Sequence, residues 1–410
     1  NDLFSSIDAF IEQKQLELLP QARDPVNITT SSTSRPDDLL NTDSAQAEEI
    51  WKTFMFNPTP TKHQTAEGVP LHPDLQQSQP SLHPSVRYRD HKLPVLEALP
   101  PELPRENLEN TSDQPHTPFE MHELIDVLKK TKRKAPGHDK LFIDAFINLG
   151  RKAKRILLNI YNRCYITGYF PNNWKIAIVV HILKKNKSIT DPASYRPISL
   201  LPVIGKILES LVMTRFTTYI ENRGLIPKYQ TGFRKKQSTS INLRRLFTAV
   251  YGKSARGAVP TPTLAVLFDA HKAFDSVYHN GLIHKMYKDN IPLPIIRFFY
   301  NWLSNRQASA KVHTHISDKV DLHSGVPQGS VLSPLLWIYY LGDCPCLQDP
   351  HIEIVLFADD IAIWVTNPNE NKNLSLFQKA IIDLTSWAAN KRLLFNSAKT
   401  HILAFRAARN

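Results

Sequence analysis

Cysteine is scarce in this 410-residue chain, which holds Cys164, Cys344 and Cys346 and no others. Three thiols exclude a disulfide-framed secreted module and a four-cysteine zinc site. The pair in Cys344-Pro-Cys346 has no matching second pair, so these are read as unpaired thiols. Long apolar runs are missing as well. No stretch approaches the roughly 20 residues of a membrane-crossing helix, so no membrane partner is expected. A basic-then-apolar leader is absent, and no signal peptide is read. The chain opens on Asn1 rather than Met, which predicts a fragment or a processed piece. Glycine is almost missing from the first 120 residues, where Gly68 is the single one of 13.

What is present divides at the same place. Residues 1–120 carry 9 Lys/Arg against 19 Asp/Glu and 15 of the 30 prolines. Residues 121–410 carry the other 41 Lys/Arg against 19 Asp/Glu, a net +22. The first part is expected to be an acidic, Pro-rich, partly disordered lead over 1–118, with helices over 1–19 and 43–56 and an extended linker from 58 to 118. The remainder is expected to be a basic globular body. A net +22 attracts polyanions, nucleic acid above all, because each neutralised phosphate releases counterions. The same charge also fits a solvated lysine surface.

Order is expected to start at Thr117-Pro118-Phe119-Glu120, a capping-box pattern with Thr117 as the cap. Helices are predicted over 141–149, 151–167, 203–222, 239–252, 280–289, 294–305, 332–341 and 373–393. Strands are predicted over 174–183, 264–268, 307–314, 318–323, 352–357, 361–365 and 400–405. The irregular alternation of the two gives an α+β fold.

Three aspartates stand out. Asp359 and Asp360 join two apolar β runs, and Asp269 ends a third. A hairpin turn alone would explain the pair, since Asp favours turns. Both flanks are apolar enough to be buried, however, and two carboxylates confined against a core repel unless a cation neutralises them. One Asp at a strand end with an Asp pair on a hairpin suits a two-metal phosphoryl-transfer site, where hard Mg²⁺ takes oxygen ligands.

Seven motifs then fall in order: Lys134-Ala-Pro-Gly-His-Asp139, Tyr195-Arg-Pro-Ile-Ser-Leu-Leu201, Gly232-Phe-Arg234 with Ser238-Thr239, Phe268-Asp-Ala-His-Lys-Ala-Phe-Asp275, Gly325-Val-Pro-Gln-Gly-Ser330, Phe357-Ala-Asp-Asp360, and Asn396 with Lys399-Thr400. From about residue 134 onward the chain resembles a reverse transcriptase of a non-LTR retrotransposon, most similar to the jockey-like type. The resemblance implies right-hand fingers and palm with an antiparallel palm sheet flanked by helices. A helical extension to the fingers would cover 119–167 and the reverse transcriptase domain 168–410, with the thumb largely missing.

The resemblance also implies roles. Asp269 and Asp359 would bind two Mg²⁺ ions (Mn²⁺ as a substitute), with Asp360 and the carbonyl of Ala270 in support. Phe274 would be the steric gate against a 2′ hydroxyl. Gln328 would lie along the incoming nucleotide. Lys184 and Arg196 would hold the triphosphate, and Lys399 would sit near the pyrophosphate. Asp275 is expected to hydrogen-bond structurally, while Asp139 and Asp144 are expected to be surface or capping residues. Implied partners are an RNA template, a DNA primer and deoxynucleoside triphosphates, within an intracellular element that reaches the nucleus during integration. The rival from another class is a catalytically inactive, nucleic-acid-binding remnant of such a polymerase.

Overall fold

The computed structural model describes residues 116–132, 135–252, 261–345 and 349–405. The expected helices over 1–19 and 43–56, nearly all of the 58–118 linker, Lys134 and Cys346 lie outside the described residues.

Nine helices are described: α1 (Met121–Lys130), α2 (Ile143–Ile147), α3 (Arg151–Thr167), α4 (Val203–Asn222), α5 (Thr239–Tyr251), α6 (His279–Lys288), α7 (Leu293–Leu303), α8 (Ser333–Tyr340) and α9 (Glu370–Asn390). The strands are β1 (Ile176–Leu183), β2 (Tyr195–Leu200), β3 (Thr263–Asp269), β4 (Arg306–Val312), β5 (His315–Ile316), β6 (Val320–Leu322), β7 (Ile352–Phe357), β8 (Asp360–Thr366) and β9 (His401–Phe405). The α+β class is thus observed.

Two sheets organise the described residues. One has the order β2-β1-β4-β5, with β6 also on β4, and its β1–β4 pair is parallel. The other has the order β7-β8-β3-β9 and is antiparallel throughout. Alternation along β3 puts Leu264, Val266 and Phe268 on one face and Ala265 on the other. α9 packs against β3 and β8, burying Phe377, Ala380, Ile381, Leu384 and Ala388 at helical spacing. On the opposite face Ala265, Val355 and Trp364 meet Leu246 and Ala249 of α5. The sheet is therefore covered on both sides, and that makes the end of β3 a rigid platform. Helix α8 is apolar almost all round and correspondingly buried, with Trp337, Tyr339 and Tyr340 inside.

Two local expectations need correction. The cap of α1 is Glu120, not Thr117: Glu120 and Glu123 form the capping box. Thr117 is drawn away by Arg215 of α4, which bonds the Thr117 hydroxyl at 3.0 Å and the Pro118 carbonyl at 2.9 Å while pairing with Glu123. Segment 195–200 also proves to be a strand, β2, although it contains Pro197. β2 is the outermost strand of its sheet, where the missing proline N–H removes no second ladder bond.

Candidate active site

The three aspartates meet at one end of the antiparallel sheet. Asp269 ends β3 and pairs in register with Asp360, the first residue of β8. Phe357 and Asp360 are also paired, so Ala358 and Asp359 form a two-residue turn. Ala358 has φ +60°, a left-handed value that costs an L-residue about 1 kcal/mol or more.

Several groups hold that turn. The Ala358 N–H donates to Gln230 Oε1 at 3.2 Å, and the Trp337 indole N–H donates to the Ala358 carbonyl at 3.0 Å. Gly232 lies directly against it: a Cβ there would come 1.9 Å from the Ala358 nitrogen. Gln230 Oε1 also accepts from Gly232 N–H at 2.8 Å. The Gly232-Phe-Arg234 motif is thus the bed of the aspartate turn. Sequence reasoning missed Gln230 and Trp337, since neither carries a local signal for a contact across the fold.

Charge concentrates here. Partial burial first, then the charges of Asp359 and Asp269, raise the pKa of Asp360, while Lys399 opposes them. Lys399 Nζ lies 2.9 Å from Asp269 Oδ2. Lys184 is depressed by desolvation and then by Lys399, Arg196 and Lys187, so the predicted triphosphate cations and Lys399 share one field. Arg196 sits opposite Ile182 on the β1–β2 pair. Lys184 Nζ also donates to the Ala193 carbonyl at 2.8 Å.

The Ala270 carbonyl stays outside the ladder. Its bridge to Phe395 is closed by His271 N–H to Leu394 O (2.8 Å) and Asn396 N–H to Asp269 O (3.0 Å). Carboxylate and carbonyl oxygens are the donors that a hard divalent cation prefers. Burial and then the neighbouring carboxylates raise Asp360 despite Lys399, which makes the cluster receptive to positive charge. Among the described residues, no group of three or more His, Cys, Asp or Glu is arranged to hold a metal ion, so a divalent ion here would also need oxygens from outside that set.

Segment 325–330 ties the remaining predicted residues together. Val326 N–H donates to the Phe274 carbonyl at 2.8 Å, and Ser199 N–H on β2 donates to the Gln328 carbonyl at 2.8 Å. A Cβ on Gly329 (φ +139°) would lie 2.4 Å from the Ser199 carbonyl oxygen. Gln328 is therefore held three residues from Arg196 along β2. The Phe274 ring has Phe233 (6.3 Å) and Trp337 (6.1 Å) as aromatic neighbours. Asp275 N–H donates to the Lys272 carbonyl at 2.9 Å, and its backbone leaves no room for a side chain on Gly325, where a Cβ would lie 2.8 Å away. Asp139 accepts from Leu141 N–H at 3.3 Å, and Asp144 lies in the first turn of α2, in line with the capping expectation. Among the described residues no helix is long and apolar enough to cross a membrane.

The chain is similar to several known proteins. The "Probable RNA-directed DNA polymerase from transposon X-element" of Drosophila melanogaster is 31% identical over 352 residues, 83% of this chain and 38% of the relative. The RNA-directed DNA polymerase from mobile element jockey of the same organism is 32% identical over 287 residues, 68% of this chain and 31% of the relative. The chain thus spans about a third of the length of these relatives. Among solved structures, a C-terminally truncated apo telomerase from Candida tropicalis overlaps 58% of this chain and 51% of its own, at 13% identity and a TM-score of 0.43. The family model for reverse transcriptase (RNA-dependent DNA polymerase) matches residues 182–407, more than half of the chain, and the chain belongs to that family.

Proposed function

We propose that this chain carries the fingers and palm of a non-LTR retrotransposon polymerase, which copies an RNA template by adding deoxynucleotides to a primer 3′ hydroxyl. The observation that carries this is the register pairing of Asp269 with Asp360 beside the braced Asp359 turn, with Lys399 on Asp269 and Lys184 in the field of Lys399 and Arg196. Asp269, Asp359, Asp360 and the Ala270 carbonyl would hold Mg²⁺, with Mn²⁺ as a substitute. Held by these residues, divalent ions would supply activation of the attacking hydroxyl and charge neutralisation at the leaving pyrophosphate.

The chain's own groups do the positioning. Arg196 offers a planar fork to the triphosphate and Lys184 a point charge. Lys399, already drawn to this cluster by Asp269, stands where negative charge builds on the leaving group. Gln328, whose carbonyl is held by Ser199 N–H of β2, would lie along the nucleotide. The Phe274 ring, with Phe233 and Trp337 as neighbours, would exclude a 2′ hydroxyl. Residues 119–167 would be the helical extension to the fingers and 168–410 the polymerase domain. By the same kinship the element would act inside the cell and reach the nucleus when it integrates.

The test is primer extension on an RNA template with Mg²⁺, omitting one deoxynucleotide at a time. Template-directed stops are expected. Binding of the hybrid with no incorporation at any metal concentration would instead support the inactive remnant.

A further inference from the structure

Behind the Gln328 turn lies a carboxylate to which neither the motifs nor the proposed chemistry gives a task. Glu209, in the middle of α4, is 2% exposed. It accepts three hydrogen bonds: from Ser330 Oγ at 2.7 Å, from Val331 N–H at 2.8 Å and from Trp302 Nε1 at 2.9 Å. Two of these donors directly follow Gln328 and Gly329. The Ser330 hydroxyl is used twice, since it also accepts from Leu332 N–H at 3.1 Å. Ser333 Oγ closes the same turn onto the Pro327 carbonyl at 2.8 Å.

An acidic side chain buried in such a place calls for partners. Arg306, at the start of β4, is also 2% exposed and stacks 4.0 Å over the Trp302 ring. Burial lowers its pKa to about 10 against the pull of Glu209, so it remains a cation at neutral pH. No guanidinium nitrogen of Arg306 has a hydrogen-bond partner among the described residues, and Glu209 is the acid that acts on it. The fold thus keeps an acidic side chain inside and directs two of its three hydrogen bonds to the segment that follows Gln328. From the other side, Ser199 N–H holds the Gln328 carbonyl and the Ser199 carbonyl leaves no room for a side chain on Gly329.

We propose that Glu209 is a positioning residue for nucleotide selection: its carboxylate clamps Ser330 and Val331 and so fixes the presentation of Gln328 to the incoming deoxynucleoside triphosphate. This rests on the reading of Gln328 as a nucleotide contact. Glu209 touches no substrate. Its effect should appear in nucleotide affinity, with the grip on primer and template unchanged.

The experiment uses the full chain, with nucleotide affinity read as dNTP KM and as dNTP binding to a chain-terminated primer–template complex. Glu209→Gln keeps the shape but turns an amide towards donors. It should weaken dNTP binding about tenfold, the scale of one lost charge-assisted hydrogen bond. Primer–template Kd should not move. Ser330→Ala removes the hydroxyl donor, leaves the Glu209 charge in place and should weaken dNTP binding about threefold; it carries the test if Glu209→Gln fails to fold. In a Gln328→Ala background neither change should add anything. Gln328→Ala weakening dNTP binding while folded Glu209→Gln and Ser330→Ala match wild type would overturn the proposal alone. Additive effects in the double variants would overturn it as well, since Glu209 would then act by another route. No effect of Gln328→Ala would remove the underlying reading of Gln328, and the proposal with it.

Discussion

Lys399 Nζ lies 2.9 Å from Oδ2 of Asp269, so the strand-end aspartate already holds a cation supplied by the chain itself. The contact joins the segment before β9 to the end of β3, and Asn396 N–H on the Asp269 carbonyl reinforces the junction. With Lys399 58% and Asp269 29% exposed, such a pair contributes no more than about 1 kcal/mol to stability. Lys399→Met should therefore lower stability in urea by less than about 1 kcal/mol. It should also tighten Mn²⁺ binding in the absence of nucleotide, because a positive charge leaves the site, and slow nucleotide addition. Titration of bound Mn²⁺ by electron paramagnetic resonance checks the first effect, and weaker Mn²⁺ binding in the variant would refute it.

Gly232→Ala should be among the most damaging small substitutions in the chain. Its Cβ would meet backbone, the Ala358 nitrogen at 1.9 Å, and backbone cannot step aside as a flexible side chain can. A loss of about 3 kcal/mol or more is expected from such overpacking. Either the protein unfolds or the aspartate turn moves and activity is lost. Chemical denaturation reads the first outcome and metal binding the second; a stable variant with normal metal affinity would show that the packing is not tight.

Phe274→Ala should relax discrimination against ribonucleotides, because the ring beside Phe233 and Trp337 is lost. Phe233→Ala should act in the same direction but less, having removed only one neighbour. The readout is the ratio of kcat/KM for deoxy and ribo substrates. An unchanged ratio in Phe274→Ala would mean that the ring serves only the core.

Stability should fall as pH drops from about 6.5 towards 4 through His279. Burial brings its pKa down from 6.5 to about 4, with Nε2 2.7 Å from the Gly325 carbonyl. Between those values the unfolded chain takes up a proton that the folded chain refuses, so the contribution is complete above pH 6.5 and lost on acidification. The effect amounts to about 3 kcal/mol at most. Urea midpoints at pH 7.5, 6.0 and 4.5 should show a shallower slope for His279→Gln than for wild type; equal slopes would clear His279 of the effect.

These sites differ in how far the sequence reveals them. β3, β7 and β8 are plain because buried strands need unbroken β-branched and aromatic runs, and the aspartates follow from where those runs stop. Helix α4 shows its full extent for a similar reason, its apolar residues recurring through 203–222. β2 was hidden by Pro197, which only its edge position tolerates. The Thr117 cap failed because Arg215, nearly 100 residues away, competes for the same groups. Gln230, Trp337 and Glu209 were illegible because their work is long-range hydrogen bonding to backbone, and no local periodicity announces that.

The most direct measurement compares wild type with Asp359→Asn in primer extension on an RNA template, alongside salt-titrated binding of the same hybrid. Asp359→Asn removes one negative charge from the turn and leaves Lys184 and Arg196 in place. Extension should fall by several orders of magnitude, since metal positioning supplies most of the acceleration. Binding without Mg²⁺ should stay equal or tighten slightly and weaken steeply with salt in both proteins. Extension by Asp359→Asn at a rate near wild type would contradict the assignment of Asp359 to the catalytic centre.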